Sequence, residues 1–203
     1  MDDRDGCAGC LFSILKLTIL ILLIVLICSC ISRIHGINDE FDIPWTDKQI
    51  ALHEAADILR EAGFTDDDSV IQSLSDQWWE EQNNLQMVAK TIYKEAGGCT
   101  WDHMVYVGAV IMNRVRSGYF PNTIYDVLIQ PSQYSTSYVS NFIDIPEICY
   151  KAAVAAMNGD HDAPEDLYWQ AQFPQGKTVW KVFEVDTGYY QSTTYFCRGA
   201  YYE

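Results

Sequence analysis

Glu95 is the acidic residue best placed to do chemistry. It stands in Lys94-Glu95-Ala96-Gly97-Gly98, where a helical pattern runs into two glycines. A carboxyl group at a helix C-terminus sits in the negative end of the helix dipole, which disfavours its charged form and raises its pKa. A carboxylic acid kept neutral near pH 7 is what general-acid catalysis requires. A second constellation lies close by. Cys99 falls near the start of the next helical pattern, where a thiolate is stabilised, and His103 follows four residues on. That pair is the seed of a cysteine peptidase or amidase, but both residues sit on one helix instead of facing each other across a site. Asp102, Asp126 and Asp144 are further carboxylates, and no spacing selects one of them as a partner for Glu95. Cys7-x-x-Cys10 has metal-ligand spacing without a second pair, and the four histidines are scattered. Neither a metal nor an organic cofactor is expected.

The 203 residues suffice for one cored domain with accessory segments. Thirteen tyrosines and six tryptophans suit stacking on sugar rings as well as core packing. The net charge of −15 is uneven. Residues 36–84 carry thirteen acidic and two basic side chains, a net −11, and residues 85–203 carry twelve and eight, a net −4. Such acidity argues against nucleic acid as a partner. Of the seven cysteines, only Cys99, Cys149 and Cys197 lie beyond the first thirty residues, so no disulfide framework is indicated.

Three segments are expected to position the chemistry. Residues 1–35 form a membrane anchor or signal segment. Residues 11–31 are a mainly apolar run whose one charge is Lys16, long enough to span a bilayer core of about 30 Å, and Lys16 can snorkel. An uncleaved anchor is the reading adopted. A cleaved signal, or a lipoprotein processed near Ile27-Cys28-Ser29-Cys30, is the alternative. Residues 36–84 read as an acidic linker and two-helix stalk, the first helix capped by Thr46 and the second by Thr65 or Asp66. Residues 85–203 read as the catalytic domain. It has a helix from about Asn84 to Ala96 and a widely apolar, central helix to about Ser117. A short helix at 124–129 and another from Pro146 to Asn158 follow. Beyond Pro164 come three short aromatic, β-branched runs at 167–170, 178–183 and 194–197. The expected class is α+β, mostly helical with a small antiparallel sheet.

Five stretches together resemble one family. They are Ala89–Ala96, Val110–Val115 with its Asn113-Arg114 pair, Phe120–Val127, the loop Gln130-Pro131-Ser132-Gln133-Tyr134, and Tyr195–Tyr201. In this order, over residues 85–202, they resemble the catalytic domain of the SleB-type cell-wall hydrolases, known from spore-cortex-lytic enzymes. The family often reads Glu-Ala-Arg-Gly-Glu where this chain has Glu95-Ala96-Gly97-Gly98-Cys99. It commonly has phenylalanine at Tyr134 and often histidine near Thr194. The resemblance implies a lysozyme-like fold, a peptidoglycan glycan strand as substrate, and lytic transglycosylation of the MurNAc–GlcNAc β-1,4 bond with Glu95 as acid and then base. It places the catalytic domain on the wall side of a single-pass membrane protein. Gln133, Tyr134, Asn113 and Arg114 become candidate substrate contacts, with Asn113 equally able to brace the Glu95 loop and Arg114 equally able to form a structural salt bridge. Trp169, Trp180 and Tyr195 are candidate stacking subsites. The rival classes are the Cys99-dependent peptidase or amidase and a non-catalytic, membrane-anchored glycan-binding module.

Overall fold

In the computed structural model the described residues are 43–134, 144–186 and 191–200. The expected membrane span at 11–31 and the four N-terminal cysteines lie outside them. Among the described residues no helix is long and apolar enough to cross a membrane.

Helix α1 spans Asp47–Glu61 and is opened by Thr46. The Thr46 hydroxyl accepts from the Gln49 backbone N–H, and the Gln49 side chain accepts from the Thr46 N–H. This reciprocal box satisfies two of the orphan donors at a helix start. Helix α2 runs Ser69–Ala96, 28 residues without a break. Two expectations are corrected here. The helix begins after Asp68, not at Thr65 or Asp66, because the Asp68 carboxylate turns back to the Thr65 N–H at 2.6 Å and closes the preceding turn. The helices expected on either side of Asn84 are one, so the expected limit between stalk and catalytic domain falls inside α2.

Helix α3 spans Trp101–Arg116, α4 Ile124–Leu128 and α5 Glu147–Asn158. Helix α3 is the central element, with His103 through Ile111 all buried. Its neighbours supply Leu85, Val88, Ala89 and Ile92 from α2 and Cys149, Ala152 and Ala153 from α5. Gly108 lets α3 and α5 touch: a methyl group there would lie 2.6 Å from Ala156 Cβ and 3.2 Å from Ile92 Cδ1.

Strands β1 (Leu167–Ala171), β2 (Thr178–Asp186) and β3 (Gln191–Arg198) form one antiparallel sheet in the order β1-β3-β2. Gln170 pairs with Phe196 and Phe183 with Thr194. Alternation along β3 then puts Ser192, Thr194 and Phe196 on one face and Thr193, Tyr195 and Cys197 on the other. The first face meets the helices, since Phe196 packs into the main core with Leu85, Val107 and Ile111. The second holds a smaller cluster of Tyr168, Trp169, Cys197 and Ala200. The molecule is therefore mixed, mostly helical, with one small sheet closing one side of α3.

Candidate active site

Glu95 lies in the last turn of α2. The Gly97 N–H donates to the Tyr93 carbonyl at 3.0 Å and ends the helix, and the Cys99 N–H donates to the Ala96 carbonyl at 2.9 Å, tightening the turn before Thr100 opens α3. A side chain at Gly97 would collide with the Tyr93 carbonyl. This turn delivers Glu95, Cys99 and His103 to one cavity of about 220 Å³. The end of β1 supplies Gln170, Ala171 and Gln172, and the inner face of β3 supplies Ser192 and Thr194. Glu95 is the only carboxylate among these described residues.

Burial, which strips water from the charged form, raises the Glu95 pKa. The same cause pushes the Cys99 thiol up, away from a reactive thiolate. His103 is 2% exposed, and burial lowers its pKa to about 4, so the imidazole is neutral near pH 7. Its ring packs 4.7 Å from Phe183 and 5.3 Å from Phe196, centroid to centroid. Neither ring nitrogen has a hydrogen-bond partner among the described residues, so no thiol–imidazole pair forms with Cys99. The Gln170 Oε1 is likewise buried and unpartnered.

The other expected site residues are dispersed. Tyr134 is the nearest in electrostatic terms. Burial pushes its phenol up to about 12, with Arg114 opposing and the charge of Glu95 adding. Arg114 is 2% exposed and lies under an aromatic cage, its guanidinium 5.0 Å from the Phe120 ring, 5.3 Å from Trp169 and 5.8 Å from Tyr134. Its Nε donates to the Tyr168 carbonyl at 2.7 Å, and no carboxylate pairs with it among the described residues. Asn113 donates to the carbonyls of Pro164 (2.8 Å) and Leu167 (3.3 Å), so it braces the approach to β1 and not the Glu95 turn. Gln133 is exposed in its loop. Trp169 donates to the Gly199 carbonyl at 2.7 Å and packs with Tyr195 on the sheet face away from the cavity. Trp180 packs edge-on against Tyr106, 4.9 Å between centroids. Asp102 approaches Lys181 at 3.8 Å, and Asp126 accepts from Thr123 at 2.7 Å.

The residues that do line the cavity with Glu95 include Gln170, Ser192 and Thr194, which the sequence did not single out. Period-two alternation could have put Ser192, Thr194 and Phe196 on one face, but the sequence carries no sign that this face meets α3.

The sequence around this cavity is similar to a known class. The cell wall hydrolase family model matches residues 100–195. Glu95 stands just ahead of that stretch. The chain is also similar to spore cortex-lytic enzymes. The spore cortex-lytic enzyme of Bacillus cereus is 35% identical over 89 residues, 43% of this chain and 34% of that protein. The spore cortex-lytic enzyme of Bacillus subtilis is 31% identical over 88 residues, 43% of this chain and 29% of that protein. The catalytic domain of the Bacillus cereus SleB protein is 28% identical, with a TM-score of 0.45, covering 58% of this chain and 91% of that one. The match thus spans about a third of the length of these curated relatives.

Proposed function

We propose that this chain is a lytic transglycosylase that cuts MurNAc–GlcNAc β-1,4 bonds in the peptidoglycan glycan strand, on a lysozyme-like arrangement of helices around Glu95. The observation that carries this reading is a single half-buried carboxyl of raised pKa in a cavity with no second carboxylate among the described residues. The SleB-type relatives supply the wall as substrate. Protonated Glu95 gives its proton to the glycosidic oxygen as the bond to the anomeric carbon breaks. The resulting carboxylate takes the proton of the muramoyl 6-hydroxyl, whose oxygen closes on the anomeric carbon as a 1,6-anhydro sugar. Glu95 is left protonated and no water is consumed. An inverting hydrolase would need a second carboxylate about 6.5–9.5 Å away to activate water. The raised thiol pKa of Cys99 and its unpaired histidine weigh against the cysteine-dependent route. The apolar stretch at 11–31 would hold the chain in the membrane, with residues 43–203 on the wall side.

The test is to incubate the purified chain with sacculi and read the products by mass spectrometry. Anhydro-muropeptides released by the wild type and by Cys99→Ala, and absent with Glu95→Gln, are the expected result. Products with ordinary reducing ends, or cut peptide stems, would overturn it.

A further inference from the structure

Two polar groups in the Glu95 cavity have no partner among the described residues, and nothing in the acid–base step uses them. His103 reaches the cavity from the first turn of α3, buried between Phe183 and Phe196, with both ring nitrogens unpartnered. Gln170 reaches it from β1, with a buried, unpartnered Oε1. Buried polar groups are nearly always hydrogen-bonded, and each one left open is a cost to folding. Two open groups from separate elements in one cavity therefore mark a place where a ligand completes the set.

Their chemistry states what the ligand must offer. A neutral imidazole has one N–H donor and one nitrogen acceptor, and Gln170 Oε1 is an acceptor. A ligand that met all three would present one acceptor and two donors. A secondary amide meets two of them: its carbonyl takes the imidazole N–H while its own N–H goes to Gln170 Oε1, and the second ring nitrogen is left to a neighbouring hydroxyl. Cys99, which lines the same cavity, suits a methyl group beside that amide.

We propose that His103 and Gln170 recognise the 2-acetamido group of the sugar held beside Glu95, making them specificity-determining residues for N-acetylated glycan strands. This rests on the glycan-cleaving reading above. A site built around hydrogen bonds to a ligand rejects the analogue that lacks them, because its own polar groups are then left unpaired.

The test uses the full chain and peptide-free glycan strands, either N-acetylated or chemically de-N-acetylated. Binding is measured by calorimetry in a Glu95→Gln background, so that nothing is consumed. The N-acetylated strand is expected to bind at least about tenfold tighter. Adding His103→Phe, which keeps the ring between Phe183 and Phe196, or Gln170→Leu is expected to bring that ratio close to one. The melting temperature of the phenylalanine variant should not fall, since it removes only unpaired nitrogens. A ratio near one in the Glu95→Gln parent, or a ratio that survives both added substitutions, overturns the proposal. Turnover by the Glu95 protein separates the two readings. Cleavage of both strands at equal efficiency removes the recognition role and leaves the acid intact. Discrimination in binding without cleavage of either strand keeps the recognition role and removes the acid.

Discussion

At the scale of single residues, ionisation is what decides behaviour. Glu95 is hard to ionise because burial removes water from its carboxylate. The proposed reaction uses the protonated form, so cleavage should hold at low pH and fall as pH rises through the elevated pKa. Glu95→Gln keeps the shape and loses the proton. The expected loss of rate is about 10²–10⁴-fold, read as anhydro-muropeptide release, and an unchanged rate would sink the acid role. His103 titrates in the opposite sense. Its folded pKa of about 4 lies below the unfolded value of 6.5. Between those values the unfolded chain holds the extra proton. The folded state is therefore unpenalised above pH 6.5 and loses stability as pH falls toward 4. His103→Phe removes this loss. Denaturant titrations at pH 7 and pH 5 should show the wild type weakening more than the variant, by up to about 2 kcal/mol. Equal acid sensitivity in the two proteins would mean that the buried imidazole is not what titrates.

The elements explain both what the sequence showed and what it hid. Helices α3 and α5 and the three strands were legible because their apolar patterns and punctuating residues agree, down to Gly159 in the left-handed region at φ 86° after α5. Helix α2 was misread as two. Its packed stripe runs Ile71, Leu74, Trp78, Glu81, Leu85, Val88 and Ile92, at helical spacing throughout. In the sequence that stripe is interrupted by Glu81, an acid in an apolar position, followed by the weak helix formers Asn83 and Asn84. In the fold Glu81 is buried because α1 satisfies it. The Lys48 ammonium donates to it at 3.0 Å and the Thr46 hydroxyl at 3.3 Å, while Gln49 donates to Gln82 at 2.7 Å. No local pattern announces partners more than thirty residues away. At the α3–α5 crossing the fit leaves no room for a methyl group on Gly108. Gly108→Ala gains helix propensity but forces the helices apart, and overpacking of this kind costs about 1–3 kcal/mol. A lowered urea midpoint with an unchanged slope is the expected reading. A raised midpoint would show that the crossing yields without strain.

On the scale of the whole molecule, the cavity and the N-terminal hairpin draw on different parts of the chain. Glu95 was legible because one turn and one motif define it. Its neighbours Gln170, Ser192 and Thr194 were not, because they arrive from β1 and β3 and depend on register and on which sheet face meets α3. Every described residue lining that cavity lies at or beyond position 95. The hairpin of α1 and the first half of α2 supports the rest without reaching the cavity. It is tied down by the Glu81 cluster and by the Asp47 N–H, which donates to the Asn158 side chain at 3.0 Å, at the end of α5. A chain beginning at residue 85 loses all of this together with about four turns of α2. Residues 43–203 and residues 85–203, each expressed alone, should therefore differ in two separable ways. The shorter piece should melt lower, by on the order of 10 °C, because α5 and the remaining half of α2 lose a packing partner. At a temperature where both are folded it should still release anhydro sugars from sacculi, because the acid and its surroundings are intact. Equal melting temperatures would mean that the hairpin is a separate spacer, as its acidity alone suggests. Loss of cleavage by a folded shorter piece would mean that the hairpin takes part in holding the glycan.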